Sequence, residues 1–280
     1  MENINETNSP SWLKELVWRF QRDEISRLAA ELAYYFLLSL FPFLIFLITL
    51  IGFFPLEQKD VLNLISEFAP KQTMKMIETN VNTIIGSHNE GLLSFGIIAT
   101  IWSASNGINA IVRAFNRAYE VEESRSFIVA RGMAVMLTTA MIFVIITALL
   151  LPVFGKMIGL YLFSTFGLSV TFLAIWSASR WIVSAIILFI VFTGLYYFAP
   201  NKHLKLKEVV RGSAFATFGW MIASLAFSYY VGNFGNYTAT YGSLGGIIIL
   251  MVWLYISGMI IVIGGEINAI YYQKNVIPHE

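Results

Sequence analysis

Cysteine is absent from all 280 residues, which excludes disulfide staples, thiolate nucleophiles and cysteine metal ligands and leaves no mark of a redox compartment. Histidine is nearly absent as well. His88, His203 and His279 lie far apart in sequence, with no His-x-His or His-Glu-x-x-His spacing. A hydrolase that activates water on a metal needs clustered histidines and carboxylates, so metal-dependent nuclease chemistry is not expected. Ser103 and Ser105 sit in an apolar run without a neighbouring His, which argues against a serine nucleophile. No Walker-type glycine loop is present, so the chain does not hydrolyse nucleotides by that route. No cofactor is called for, and an enzyme is not the expectation.

Charge is scarce too. Asp, Glu, Lys and Arg make up 12% of the chain, against about 25% in an average soluble protein. The 18 Lys and Arg are scattered in short groups rather than gathered in one basic patch, which argues against a nucleic-acid partner. Residues 1–31 hold six acidic and four basic side chains and no short apolar core with a small-residue cleavage site. A secretory leader is therefore not expected, and the first apolar run should remain in the mature chain.

What is abundant is apolar length. The chain is 57% hydrophobic with a mean hydropathy of +0.70, and about 20 apolar residues suffice for a helix to cross the hydrocarbon core. Windows free of charge, or nearly so, predict spans at about 32–54, 92–112, 133–155, 181–199, 212–231 and 244–271. The neutral Gly, Asn and Tyr-rich stretch 232–243 separates the last two. Window 157–179 is diluted by Gly159, Ser164, Thr165, Gly167, Ser169, Thr171, Ser177 and Ser179, and is read as an outside or half-inserted helix packed on the bundle.

Short cytoplasmic loops carry an excess of Lys and Arg, and this sets the count and the orientation. With six spans, thirteen basic residues fall inside: Lys14, Arg19, Arg22, Arg27, Arg113, Arg117, Arg125, Arg131, Lys202, Lys205, Lys207, Arg211 and Lys274. Lys59, Lys71, Lys75, Lys156 and Arg180 remain outside. Were 157–179 to cross, the two sides would hold nine each. The expected fold is therefore an all-α, polytopic membrane bundle of six helices with both termini cytoplasmic, in the cytoplasmic (inner) membrane.

Residues 1–31 form a cytoplasmic segment in which Trp12, Leu13, Leu16, Val17 and Phe20 recur among charges over 12–30, the pattern of a helix lying at the inner interface. The membrane domain is 32–272, its 55–90 loop reads as an outside cap of two short helices split at Pro70, and 273–280 is a tail. Pro42 falls mid-span and removes a backbone hydrogen bond, marking a candidate kink.

Several runs carry a family resemblance: AAELAYYFLLSLFPFL at 29–44, WSASNGINAIVRAFNRAY at 102–119, YYFAPN at 196–201 and YGSLGGIIILMVWLYISGMIIVIGGEINA at 241–269. In this order they resemble the YihY/BrkB family of bacterial inner-membrane proteins, over nearly the whole chain. The resemblance implies a six-span membrane protein without a settled activity. An older label for the family, ribonuclease BN, finds no support in the scattered histidines described above.

The strongest candidate site is a polar stripe on the second span. Asn106, Asn109, Arg113, Asn116 and Glu120 are spaced 3, 4, 3 and 4 apart, on one helix face. Amides in hydrocarbon need partners, so this face should point into the bundle or a wet cavity. Interhelical glue is the structural reading, and a path for a solute or lipid headgroup is the functional one. Glu266 is the sole acid of the last apolar window and should find a cation, Arg113 first and Arg117 second. Arg27 and Glu31 are spaced to pair with each other. The functional expectation is a transporter or flippase-like protein for a small amphipathic or anionic solute or lipid, with membrane lipids and a homo-oligomer as partners. A non-transporting scaffold is the alternative.

Overall fold

A computed structural model describes residues 12–51, 90–139, 141, 170–234 and 245–275. They form helices α1 (Trp12–Arg22), α2 (Ile25–Ile51), α3 (Glu90–Ala118), α4 (Phe127–Thr139), α5 (Val170–Phe198), α6 (Leu206–Phe234) and α7 (Gly245–Asn275). No strand occurs among the described residues. The protein is an all-helical, multi-pass membrane bundle. Five of these helices contain segments long and apolar enough to cross a bilayer: Ile25–Phe46, Glu90–Ala118, Trp181–Phe198, Leu206–Asn233 and Gly245–Lys274. The expected third span, 133–155, meets α4 only over 133–139. Apart from residue 141, the rest of it lies outside the described residues, as do residues 52–54 of the expected first span, residues 55–89 of the expected cap, residues 157–169, the 235–244 connection and residues 276–280 of the tail.

Helix ends follow local chemistry. In α1, Glu15 lies in the first turn and Arg19 and Arg22 in the last, matching the helix dipole at both ends. The segment expected to be one amphipathic helix over 12–30 breaks after Arg22, where Glu24 takes a φ of 54°. Its N–H bonds the Gln21 carbonyl at 3.2 Å, closing α1 just before α2 begins. α2 runs through Pro42 as one helix. α3 ends in a Schellman turn, with Val121 N–H on the Asn116 carbonyl and Glu120 N–H on that of Arg117. Glu120, at φ 55°, holds the left-handed position that glycine usually takes. At the start of α6, Glu208 accepts the Lys205 N–H at 2.8 Å, half of a capping box.

One expectation is corrected. Residues 170–179 are not part of a separate outer helix but the first ten of α5, a single 29-residue helix that passes through Arg180. Ser177 and Ser179 weaken the hydropathy of this stretch without breaking it, because a helical Ser can return its hydroxyl to a preceding carbonyl, as Ser179 does to Trp176 at 2.9 Å.

The chain divides into two compact units, one of Tyr35–Ala104 and one of Met1–Tyr34 with Ser105–Glu280. In the first, a Cβ on Gly96 would meet the Phe46 backbone at 3.0 Å, so α2 and α3 approach closely there. In the second, α6 packs against α5 and α7, and α1 against α7. Its tightest point is glycine on glycine: a Cβ on Gly212 of α6 would lie 2.0 Å from the Gly264 carbonyl oxygen of α7. A Cβ on Gly264 would lie 2.1 Å from the Tyr196 hydroxyl, and one on Gly265 2.6 Å from the Phe115 ring. Small residues of this kind let helix backbones approach where lipid supplies no hydrophobic drive. The approach is locked by polar bonds, from Gly212 N–H to Asn268 Oδ1 at 2.6 Å and from the Tyr196 hydroxyl to the Ile261 carbonyl at 2.8 Å. Tyr196 also packs on Phe115, centroids 5.0 Å apart.

Helix propensity favours Ala over Gly by about 1 kcal/mol, yet Gly212→Ala is expected to destabilise by about 1–3 kcal/mol through overpacking. Gly232→Ala, on the same helix with nothing within 4 Å of its Cβ, should be neutral or stabilising. Thermal unfolding in detergent reads both, and equal midpoints would show that the glycine contact does not matter.

Candidate functional site

The polar centre of the larger unit is built around Glu266 on α7, which is 0% exposed within an apolar helix. The cation that meets it is Arg19 of α1, itself 2% exposed. Arg19 Nη1 lies 3.4 Å from Glu266 Oε2 and donates to the Ala118 carbonyl at 3.0 Å. Its Nε donates to Glu15 at 2.8 Å, and its Nη2 to Gln273 Oε1. One guanidinium thus ties the last carbonyl of α3 to α7, placing a cation at a helix C-terminus where the dipole favours it. Glu266 Oε1 is buried without a hydrogen-bond partner in the protein, as is the Tyr119 hydroxyl. Burial raises the Tyr119 hydroxyl above its ordinary range, and the charge of Glu208, then Tyr272 and Glu266, add to the effect. Its ring meets Tyr272 edge-on at 5.9 Å.

A second carboxylate, Asp23, is buried in the turn between α1 and α2. It lies between Arg22 at 2.8 Å and Arg117 at 3.3 Å, and Arg117 also donates to the Arg22 carbonyl at 2.6 Å. Arg22 reaches Glu120 at 2.7 Å and stacks over the Trp18 ring at 4.5 Å. Glu24 pairs with Arg27 and Arg117, and the Arg27 contact holds the Glu24 carboxyl below its ordinary value.

A third group pins the connections after α3 and α5. Buried Asn116 donates to Glu123 at 2.9 Å and accepts the Asn201 N–H at 2.7 Å. Asn201 in turn donates to the Glu122 carbonyl and the Ser124 hydroxyl, each at 2.8 Å. Arg125 binds Glu123 at 2.6 Å and the Ala199 carbonyl at 3.0 Å, and it keeps the Glu123 carboxyl low.

The predicted stripe divides in its contacts, with Asn106, Asn109, Arg113 and Asn116 on α3 and Glu120 in the turn after it. Asn106 accepts from Arg131 of α4 at 2.8 Å, Asn109 is half-buried, Arg113 pairs with Glu31, Asn116 holds the connections and Glu120 meets Arg22. Two expected pairings are corrected. Glu266 pairs with Arg19, not with Arg113 or Arg117, because α1 turns back at Asp23–Glu24 and brings its guanidinium to the end of α3. Arg113 is exposed on the side of Glu31, and Arg117 is engaged by Asp23 and Glu24. For the same reason Arg27 and Glu31 do not pair with each other; each takes another partner. Arg19 was missed, although it lies four residues after Glu15 on the amphipathic segment, the spacing of a helical ion pair. Among the described residues, no group of three or more His, Asp or Glu could hold a metal ion.

Comparison with known proteins places the chain in a clear context. The signature of the virulence factor BrkB family matches residues 16–279. The ribonuclease-like protein YfkH of Bacillus subtilis is 54% identical over 270 residues, covering 96% of this chain and 98% of that protein. A UPF0761 membrane protein of Vibrio parahaemolyticus is 28% identical, covering 92% of this chain and 81% of its own. Another, of Alkalilimnicola ehrlichii, is 27% identical over 93% of this chain, which spans 58% of that protein's length. No solved structure matches.

The geometry predicts an asymmetric response at the buried pair. Arg19→Met leaves Glu266 and Glu15 without their cation and should cost about 3–5 kcal/mol. Glu266→Gln should cost less, since Arg19 keeps Glu15, Gln273 and the Ala118 carbonyl, and the double variant should lose less than the sum. Arg113→Met combined with Glu266→Gln should be additive. Thermal unfolding of all five variants in detergent is the check, and additivity for Arg19 with Glu266 would contradict the pairing.

Proposed function

The chain belongs to the virulence factor BrkB family of membrane proteins, and from that premise we propose that it is a transporter or flippase-like protein, not an enzyme, for a small amphipathic or anionic solute or a lipid. The observation that carries the reading is Glu266, a fully buried acid within an apolar helix, with one oxygen unpartnered and its cation supplied by a helix outside the spans. Ionisable groups at such depth are costly, and where they persist in membrane proteins they mark solute and ion paths. The Arg19 contacts tie α1 to α7 and to the end of α3, and exposed Arg113, with Arg117 beside it, offers a basic approach for an anionic headgroup.

A second reading, a non-transporting scaffold, is favoured by Asn106 and Asn116, whose amides are engaged in contacts with Arg131, Glu123 and Asn201. Polar side chains used in this way act as glue between helices. In that reading the chain assembles with itself or with another membrane protein. The ribonuclease-like name of the Bacillus subtilis relative is not carried over, since His88, His203 and His279 share no metal-ligand spacing.

Purified protein in mixed neutral and anionic lipid vesicles separates the two. Under an imposed ion or pH gradient, the transport reading expects movement of a headgroup-labelled lipid, or of an entrapped anionic dye, above that of protein-free vesicles. Arg19→Met should alter the rate. Absence of movement of either probe, with the protein folded and oligomeric, would overturn transport in favour of the scaffold.

A further inference from the structure

The arginines around the α1–α2 turn and α3 are matched by carboxylates: Arg22 and Arg117 by Asp23, Arg27 by Glu24, Arg113 by Glu31 and Arg125 by Glu123. The connection from α5 to α6 is different. Lys202, Lys205, Lys207 and Arg211 fall within ten residues, and no carboxylate among the described residues pairs with any of them. Glu208 is the only acid between Glu123 and Glu266, and it is buried, accepting the Lys205 N–H. Asn201 donates to the Glu122 carbonyl, so Lys202 lies at the edge nearest that acid.

Two of these cations are held by rings rather than by charge. Lys202 Nζ stands 4.4 Å from the centre of the Tyr272 ring, and the Arg211 guanidinium 3.5 Å from that of Tyr271. Such a contact positions a cation without neutralising it, and a guanidinium stacked by its face keeps its edge N–H groups for a phosphate. Lys207 and Arg211, spaced i and i+4, share one exposed face of α6. Leu206 and Val210 lie beside them, 60% and 40% exposed, and after Arg211 the face continues in exposed Phe215 and Phe218. At a 1.5 Å rise, Phe218 lies on the order of 10 Å from Arg211 along the helix, within the roughly 15 Å that the hydrocarbon of one leaflet spans.

We propose that this face of α6 binds an anionic phospholipid, its phosphate held by Lys207 and Arg211 with Lys205 beside them, and its acyl chains laid along Val210, Phe215 and Phe218. Free cations alone would suit any phosphate; the apolar run continuous with them selects a lipid. Basic clusters beside membrane helices recognise anionic headgroups in this way. The assignment stands whether or not the chain moves a solute. It is also distinct from the approach at Arg113 and Arg117, whose charges Glu31, Asp23 and Glu24 already balance.

The chain has no native cysteine, so single thiols report locally. Phe218→Cys on this face and Ile186→Cys on α5, both exposed positions, are labelled with a fluorophore in the full chain in neutral detergent. Each is titrated with phosphatidylglycerol or phosphatidylcholine brominated at mid-chain, which quenches on contact. A basic side chain near an anionic headgroup gains roughly fivefold in affinity, so phosphatidylglycerol should quench the α6 label at a concentration at least about tenfold below phosphatidylcholine. At α5 the two lipids should match. Lys207→Gln should lose about fivefold of the α6 preference, and Arg27→Gln, which removes the same charge from a paired site, should lose none. Equal quenching by the two lipids at α6, or the same preference at α5, overturns the proposal whether or not any variant folds. So does a full preference retained in Lys207→Gln, or an equal loss in Arg27→Gln, which would make net charge the cause. Displacement of the lipid by inorganic phosphate at matching concentration overturns it as well, since the apolar face would then have no role.

Discussion

A fully buried carboxylate on an apolar helix is the constraint on which the rest of this structure turns. An ionised or polar group cannot be left in such surroundings without a partner, and Glu266 finds its cation on a helix more than two hundred residues away. Placing Arg19 there requires α1 to turn back sharply, which it does through a residue in left-handed conformation, and requires Asp23 in the same turn to be neutralised by Arg22 and Arg117. The Arg19 bond to the last carbonyl of α3 then fixes where that helix ends. Charge, turn geometry and helix termination are consequences of one another here.

The second organising element is steric. Without a hydrophobic drive between helices in lipid, α6 and α7 gain contact by bringing Gly212 against Gly264, with Tyr196 filling the space beside them. Buried Asn268 satisfies the Gly212 N–H at this crossing and lies two residues from Glu266. The outward sides of α5 and α6, with Ile186, Ile190, Phe218 and Ile222 exposed, are suited to lipid contact.

Much of the fold was legible because hydropathy reads uninterrupted apolar length directly. The windows at 92–112 and 212–231 fall inside α3 and α6, and residues 245–271 of the last window inside α7. The break at Glu24 was not legible, since neither Gly nor Pro announces it, and the serines before Arg180 diluted a helix that continues regardless. At the site, Glu266 stood out as a lone acid and the Asn106 to Asn116 stripe by its period. Their partners did not, because a pairing such as Arg19 with Glu266 depends on the path of α1, and depth along the spans alone favoured Arg113. The family signature over residues 16–279 agrees with the resemblance carried by the Leu-Ser-Leu-x-Pro and Tyr-Gly-Ser-Leu runs.

The central claim is that α1 belongs to the bundle through the Arg19–Glu266 contact and does not float at the bilayer surface. An experimentally determined structure in lipid nanodiscs tests it most directly. The account predicts α1 seated on α7, with the Arg19 guanidinium within hydrogen-bond reach of the Glu266 carboxyl and the Ala118 carbonyl. An α1 lying apart from α7, with Glu266 turned to lipid or paired with Arg113, would contradict it.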